Sequence, residues 1–318
     1  MSLKSFIIKQ VSGLIAGQIN SWKKTAVKDQ NRIRESLINK AKNTAFGKDH
    51  HFDQITNYND FKKAVPIRDY EGLRTYIDRV TKGEADILWP GKPKYFAKTS
   101  GTTSGVKYIP ITHESMPNHI VSARNAMLNY FHQKGSASVF EGKVIFLSGS
   151  PELEEKGGIP TGRLSGIVNH EVPPWVRRNQ LPSYSTNCIE DWETKLEKIV
   201  DETIHEDMRL ISGIPPWVQM YYERLLARTG RKTVREVFPN YSLFMYGGVN
   251  FEPYRAKLEE LVGGRIDSIE TFPASEGFIA FQDDVNDSGL LLNTNSGIFF
   301  EFVPVESLNN PLPVRLMI

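Results

Sequence analysis

Apolar positions in residues from about 3 to 45 recur at helical spacing and predict two helices, the second placing Ile33, Leu37, Ile38 and Ala41 on one face. A further helix starts near Asp69 and puts Leu73, Tyr76, Ile77 and Val80 on one side, until WPGKPKY breaks the pattern with Gly and Pro. Short strand-like runs follow at Tyr95–Lys98, Lys107–Ile111, Val144–Leu147, Met208–Ile211, Ser242–Tyr246 and Ile266–Ile269. Helical stretches at Met116–Gln133, Trp192–Ile204 and Pro216–Ala227 separate most of them, so strands alternate with helices as in an α/β fold with largely parallel pairing. From Phe278 onward the rhythm changes. GFIAFQ, GLLLNT and GIFFEFVPV succeed one another with only turn-like segments between, which predicts an antiparallel sheet closing the domain.

With 318 residues and 40% hydrophobic content, the chain can bury a large core, as one big domain or two modest ones. Its 39 basic and 37 acidic residues nearly cancel and are interleaved, which argues against nucleic acid as a partner. A single cysteine, Cys188, forms no internal disulfide, and no Cys/His cluster has zinc-ligand spacing; a reducing cytoplasm fits this usage. Lys9, Gln10 and Gln18 interrupt the N-terminal apolar run, so that segment reads as an amphipathic helix on the body of the protein, not a signal sequence or membrane span. His50, His51, His113, His119, His132, His170 and His205 have no triad or metal partner in sequence and read as structural or solvent-exposed.

Three stretches carry candidate chemistry. In KTSGTTSGVKYIPIT (Lys98–Thr112), Gly101 and Gly105 let main chain approach an anion, Thr99, Ser100, Thr102, Thr103 and Ser104 offer hydroxyls, and Lys107 adds positive charge. It is not a Walker A motif, because Gly105 is followed by Val106, and by itself it also reads as a Ser/Thr-rich surface turn. In FMYGGVNFEPY (Phe244–Tyr254) a strand ends in Gly247 and Gly248, a pair that admits a flat base against main chain or simply makes a tight strand-to-helix turn. In ETFPASEGFIA (Glu270–Ala280), Phe272 offers a ring for stacking, Ser275 a phosphate donor and Glu276 a hard oxygen ligand for magnesium; the plain alternative is a solvated Glu in a turn.

These three stretches in this order are more specific than any one alone. With NTAFGKDHHFDQI, PIRDYEGLRTYIDRV and ISGIPPWV, the sequence resembles the auxin-responsive Gretchen Hagen family of acyl-acid amido synthetases, in a bacterial-looking form, within the acyl-adenylate-forming superfamily. The resemblance covers essentially the whole chain. It implies a luciferase-like adenylation domain over residues 1–318, with mixed, mostly parallel sheets flanked by helices plus a partial antiparallel sheet. It also implies ATP and Mg²⁺, and a reaction in which a carboxylic acid is adenylated and then passed to an amino acid.

By the same resemblance Ser100, Thr102, Thr103 and Lys107 hold the β- and γ-phosphates, with Thr99, Gly101, Ser104 and Gly105 completing the loop. Gly247, Gly248 and Val249 receive the adenine, Phe272 covers it where many members have tyrosine, Ser275 meets the α-phosphate, and Glu276 binds Mg²⁺, so that Lys107 and Glu276 are the catalytic pair. Arg124, on the helix after the phosphate loop with Met127 and Leu128, borders the acyl pocket or makes an exposed salt bridge; Trp217 and Met220 face the same pocket or belong to the core. The family's Tyr-Arg-x-Gly-Asp type motif is missing, since no Gly-Asp pair occurs and the chain ends at PLPVRLMI. The expectation is therefore a C-terminally truncated domain without its mobile lid, of undetermined oligomeric state. The alternatives are an acyl-CoA ligase of the phenylacetate type and a non-catalytic module that binds a nucleotide or aromatic acid.

Overall fold

The computed structural model describes residues 3–101, 105–307 and 314–317. The chain opens with α1 (Leu3–Trp22) and α2 (Ala26–Ala41), followed by the short α3 (Ala45–Asp49) and α4 (Tyr58–Ala64) and by α5 (Tyr70–Thr81). α5 starts where the sequence places it: Asp69 accepts the amide of Gly72 at 2.8 Å, capping the first turn, and Ile77 and Val80 are buried. Thr44 caps α3 in the same way through Gly47 N.

Next come β1 (Tyr95–Gly101) and β2 (Gly105–Ile111), an antiparallel hairpin longer than the two runs read from sequence, and then α6 (Met116–Lys134), which ends at Gly135 in the left-handed region. The middle of the chain holds β3 (Lys143–Phe146), β4 (Glu154–Lys156), β5 (Ile159–Gly162), α7 (Leu164–Glu171), α8 (Pro174–Arg177), β6 (Gln180–Leu181), α9 (Tyr184–Asn187) and α10 (Trp192–Thr203). It continues through β7 (Met208–Ser212), α11 (Pro215–Thr229), α12 (Val234–Val237), β8 (Leu243–Gly247), α13 (Glu252–Val262), β9 (Asp267–Ala274) and β10 (Gly277–Phe281). The short strands β11 (Leu291–Leu292), β12 (Glu301–Phe302) and β13 (Leu316–Met317) follow.

Seven strands form the main sheet in the order β11-β10-β9-β8-β7-β3-β6, and β6, β3, β7, β8 and β9 run parallel. Alternate side chains along these strands enter opposite cores, because successive residues of a strand point to opposite faces. Ile145, Ile211 and Phe244 pack with Ile199, Val218, Tyr221 and Leu225 of α10 and α11. Val144, Leu210, Leu243 and Met245 pack with Ile15 and Ile19 of α1 and with Leu128 and Phe131 of α6. A parallel sheet covered on both faces reads in sequence as short, nearly continuous apolar runs, which is the pattern seen. A four-stranded sheet, β2-β1-β5-β4, carries the first hairpin.

One expectation is refined. The segments after Phe278 do not close the domain as a sheet of their own: β10 extends the main sheet antiparallel to β9, β11 adds to it antiparallel to β10, and of these segments β12 with β13 stands apart. β10 leaves β9 by a two-residue turn, and such a short link permits only antiparallel return. Among the described residues no helix is long and apolar enough to cross a membrane.

A buried amide ties the N-terminal helices to this region. Gln30 of α2 is fully buried; it donates to Thr294 O (2.7 Å) and Ile298 O (2.9 Å) and accepts from Phe300 N (2.7 Å). Replacing it with leucine leaves those main-chain groups without partners. Gln30→Leu is expected to lower the unfolding free energy by about 2–4 kcal/mol in urea titration, each unmatched buried group costing about 1–3 kcal/mol. A change below about 0.5 kcal/mol would show that the 294–300 segment is held by something else.

Candidate active site

The carboxyl edge of the parallel strands is where an α/β sheet presents its ligand site. At that edge β8 and β9 are paired in register from Leu243 opposite Asp267 to Gly247 opposite Thr271. The two glycines there have different physical reasons. A Cβ on Gly247 would stand 2.3 Å from Thr271 O and 3.0 Å from Thr271 Oγ1, so the strands leave no room for a side chain. Thr271 Oγ1 donates to Tyr246 O (2.9 Å), which locks the approach. Gly248, by contrast, has φ +84°, a backbone turn that suits glycine, and leads into α13. The main chain at 248 is exposed, and Val249 beside it is 39% exposed.

From Thr271 the next strand end delivers the third stretch. Phe272 is 49% exposed, a large ring left uncovered at the sheet edge. Ser275 and Glu276 form the two-residue turn between Ala274 and its partner Gly277. Neither their hydroxyl nor their carboxylate has a hydrogen-bond or ion-pair partner among the described residues, and Glu276 is exposed. The turn itself is firmly held. Asn118 of α6, buried, accepts the amide of Phe278 at 2.6 Å and donates to Ser296 Oγ at 2.9 Å, while Asn293 donates to Phe278 O at 3.0 Å. A free carboxylate on a rigid turn is a fitting ligand for Mg²⁺, which takes one or two carboxylates and completes its shell with phosphate and water. Among the described residues no group of three or more His, Cys, Asp or Glu side chains is arranged to hold a metal.

The hydroxyl-rich stretch lies at the tip of the β1–β2 hairpin. Thr99 faces Lys107 across the pair, Ser100 faces Val106 and Gly101 faces Gly105, whose φ is +83°. Thr102, Thr103 and Ser104 lie outside the described residues, and for Ser100 and Gly101 only the backbone is described. Lys107 makes no ion pair among the described residues; its Nζ lies 5.4 Å from the centre of the Tyr70 ring, whose hydroxyl accepts from Tyr108 N. The structure thus brings Gly247, Gly248, Phe272, Ser275 and Glu276 to adjoining strand ends of one sheet and carries Thr99–Gly101 and Gly105–Lys107 on the other.

The remaining candidates resolve on structural grounds. Arg124 is exposed and hydrogen-bonds only Asn125 Oδ1, at 3.0 and 3.3 Å, so the salt-bridge alternative is not realised among the described residues. Trp217 and Met220 pack on the α10–α11 core, Trp217 lying 4.8 Å from the Trp192 ring, which favours the core alternative. His119 is buried on α6 with Nδ1 unpartnered, and burial lowers its pKa to about 4. Two charged residues had no signal in the sequence. Lys195 is buried and donates to Ser148 O (3.0 Å) and Asn187 O (2.7 Å); burial first, and then the charge of Arg163, bring its pKa down to about 8. Arg163, directly after β5, is exposed and without a partner among the described residues.

The doubly covered parallel sheet with its antiparallel edge is a fold found in solved structures of other proteins. Among solved structures, an acyl acid amido synthetase, AtGH3.15 in complex with 2,4-DB, superposes with a TM-score of 0.78 at 14% identity, over 96% of this chain and 62% of that one. An open 2-hydroxyisobutyryl-CoA ligase shares the fold at TM-score 0.50 and 12% identity, over 82% of this chain and 57% of that one. The chain belongs to the GH3 family, whose N-terminal domain matches residues 15–182 and 162–266. It is 34% identical over 195 residues to indole-3-acetic acid-amido synthetase GH3.15 of Arabidopsis thaliana, across 58% of this chain and 32% of the relative. It is 26% identical over 142 residues to jasmonoyl-L-amino acid synthetase JAR6 of Nicotiana attenuata, across 42% of this chain and 24% of the relative. The matched part therefore spans about a third or less of these curated relatives.

Two outcomes follow from this geometry. Gly247→Ala is expected to destabilise by about 1–3 kcal/mol through overpacking against Thr271, and Gly248→Ala by roughly 1–2 kcal/mol through its left-handed backbone. Denaturant titration checks both, and a neutral Gly247→Ala would refute the strand contact. For His119, folding lowers the pKa, so the unfolded state binds the extra proton between pH about 6.5 and about 4 and stability falls as pH drops through that window. His119→Leu should remove a slope approaching about 1.4 kcal/mol per pH unit from that window, measured as the difference between the two proteins. Parallel pH profiles would contradict a buried neutral imidazole.

Proposed function

We propose that residues 1–318 form the adenylating part of an ATP-dependent, AMP-forming acyl-acid amido synthetase that works in the cytoplasm. The observation that carries this reading is the convergence, on one rigid sheet edge, of main chain bared at Gly247–Gly248, the exposed Phe272 ring and the unpartnered Ser275–Glu276 turn. Membership of the GH3 family supports it, as do the amido synthetase activities named for its relatives.

A carboxylate resists attack by an amine because its own charge repels the nucleophile and oxide is a poor leaving group. In the proposed first step a carboxylate oxygen of the acid bonds to the α-phosphorus of ATP, and the bond to pyrophosphate breaks. In the second, the amino group of an amino acid attacks the now neutral acyl carbon, loses a proton and expels AMP. The protein's share is positioning and charge neutralisation. Gly247, Gly248 and Val249 offer the adenine a flat edge, and Phe272 offers it a stacking face. In this reading Ser275 donates to the α-phosphate, and the hairpin strands at Thr99 and Lys107 serve the β- and γ-phosphates. Glu276 would hold Mg²⁺, which supplies neutralisation of phosphate charge when bound. Arg124 is assigned to the rim of the acyl pocket, where its exposed guanidinium is available to a second substrate charge.

Acid-dependent exchange of labelled pyrophosphate into ATP, screened over aromatic and aliphatic acids, tests the first step. Glu276→Ala is expected to lower the exchange rate by about 100-fold, the scale seen when one transition-state charge contact is removed. ATP binding without exchange for any acid would instead place the chain among non-catalytic nucleotide-binding proteins.

A further inference from the structure

Arg163 stands out among the charged side chains outside the site just described. It follows β5, whose Thr161 and Gly162 pair in parallel with Phe96 and Ala97 of β1, so it emerges at the edge from which β1 runs on toward the hydroxyl-rich hairpin tip. Its guanidinium has no hydrogen-bond or ion-pair partner among the described residues. Glu154, opposite Thr161 on the neighbouring strand, pairs with Lys98 at 3.0 Å, and Glu171 at the end of α7 pairs with Lys94 at 2.6 Å.

The surroundings make room for this side chain. A Cβ on Gly149 would lie 3.0 Å from Arg163 Cδ and 3.7 Å from Nη1, so the arginine stem crosses bare main chain just beyond the end of β3. Ser165 Oγ accepts the Gly149 amide at 3.3 Å and pins that main chain. Behind it, buried Lys195 donates to Ser148 O. Two cations thus flank the Ser148–Gly149 segment, and the charge of Arg163 is felt at Lys195, whose pKa is brought down to about 8 by burial and by that neighbour. An exposed, unpaired arginine held over glycine main chain is prepared for a planar anion.

We propose that Arg163 is the anchor for the α-carboxylate of the amino acid that accepts the acyl group. This rests on the amide-forming reading above. Of the anions in that reaction, the phosphates have the hydroxyl-rich hairpin and Glu276-bound Mg²⁺, and the carboxylate of the acid loses its charge on adenylation. The acceptor's carboxylate alone keeps its charge from substrate to product and needs a fixed counter-charge throughout. A guanidinium supplies two parallel N–H donors for it and cannot lose its proton.

The test is calorimetric titration of the chain with ATP and, separately, with N-(indole-3-acetyl)-L-alanine and its carboxamide, which differ only in the charged group. The wild-type chain should bind the carboxylate at least about tenfold tighter than the carboxamide, the scale of one charge-assisted hydrogen bond. Arg163→Met should erase that preference and leave ATP binding unchanged. Gly149→Ala, which displaces the arginine stem without altering its charge, should weaken the preference. A preference that survives in Arg163→Met overturns the assignment, as does a loss of ATP affinity in that variant, which would make Arg163 a phosphate contact. Normal ATP binding with neither product bound by the wild-type chain would bring down the amide-forming reading itself, and this proposal with it.

Discussion

The main chains of β8 and β9 approach so closely at their carboxyl ends that position 247 has no space for a side chain. That contact sets the geometry of the whole rim. It brings the exposed turn at Gly248 beside the strand that ends in Phe272, and from there a two-residue turn leaves only one place for Ser275 and Glu276. A wider spacing would separate the bared main chain at Gly248 from the Phe272 ring and the Ser275–Glu276 turn.

Rigidity at the rim comes from buried amides that join distant parts of the chain. Asn118 reaches 160 residues along the sequence to hold the start of β10, and Gln30 reaches 264 residues to hold the segment after β11. Such groups add modest net stability when satisfied and are expensive to strand, so they specify one arrangement more than they strengthen it. The helix α2, which carries none of the candidate site residues, belongs to the site's supporting structure for that reason.

Much of this architecture could be read in advance because parallel strands buried on both faces leave compact apolar runs, and the long helices bury one side at regular spacing. The ends of α5, α6, α10 and α11 fell within a few residues of expectation; Asp69 marked the start of α5 in the sequence, and in the structure Gly135, Asp191 and Gly230 cap the others. What was not legible was short or non-local. β4, β5 and β6 span only two to four residues each, and Pro160 with Gly162 gives β5 no strand pattern of its own. At the site, the glycine pair and the Ser-Glu turn were visible as residue types, but the reason for Gly247 lies across the sheet at Thr271. Lys195 and Arg163 look like ordinary surface charges, because the absence of a partner is a property of the folded chain.

The central claim is that the carboxyl rim of the main sheet and the β1–β2 hairpin share one ATP molecule. A crystal structure of the chain with a non-hydrolysable ATP analogue and Mg²⁺ tests it most directly. The account predicts adenine lying between the Gly247–Gly248 main chain and Phe272, the triphosphate passing Ser275 toward the segment between Thr99 and Lys107, and the metal on Glu276. Nucleotide bound away from that rim, or at the rim with its phosphates turned from the hairpin, would contradict it.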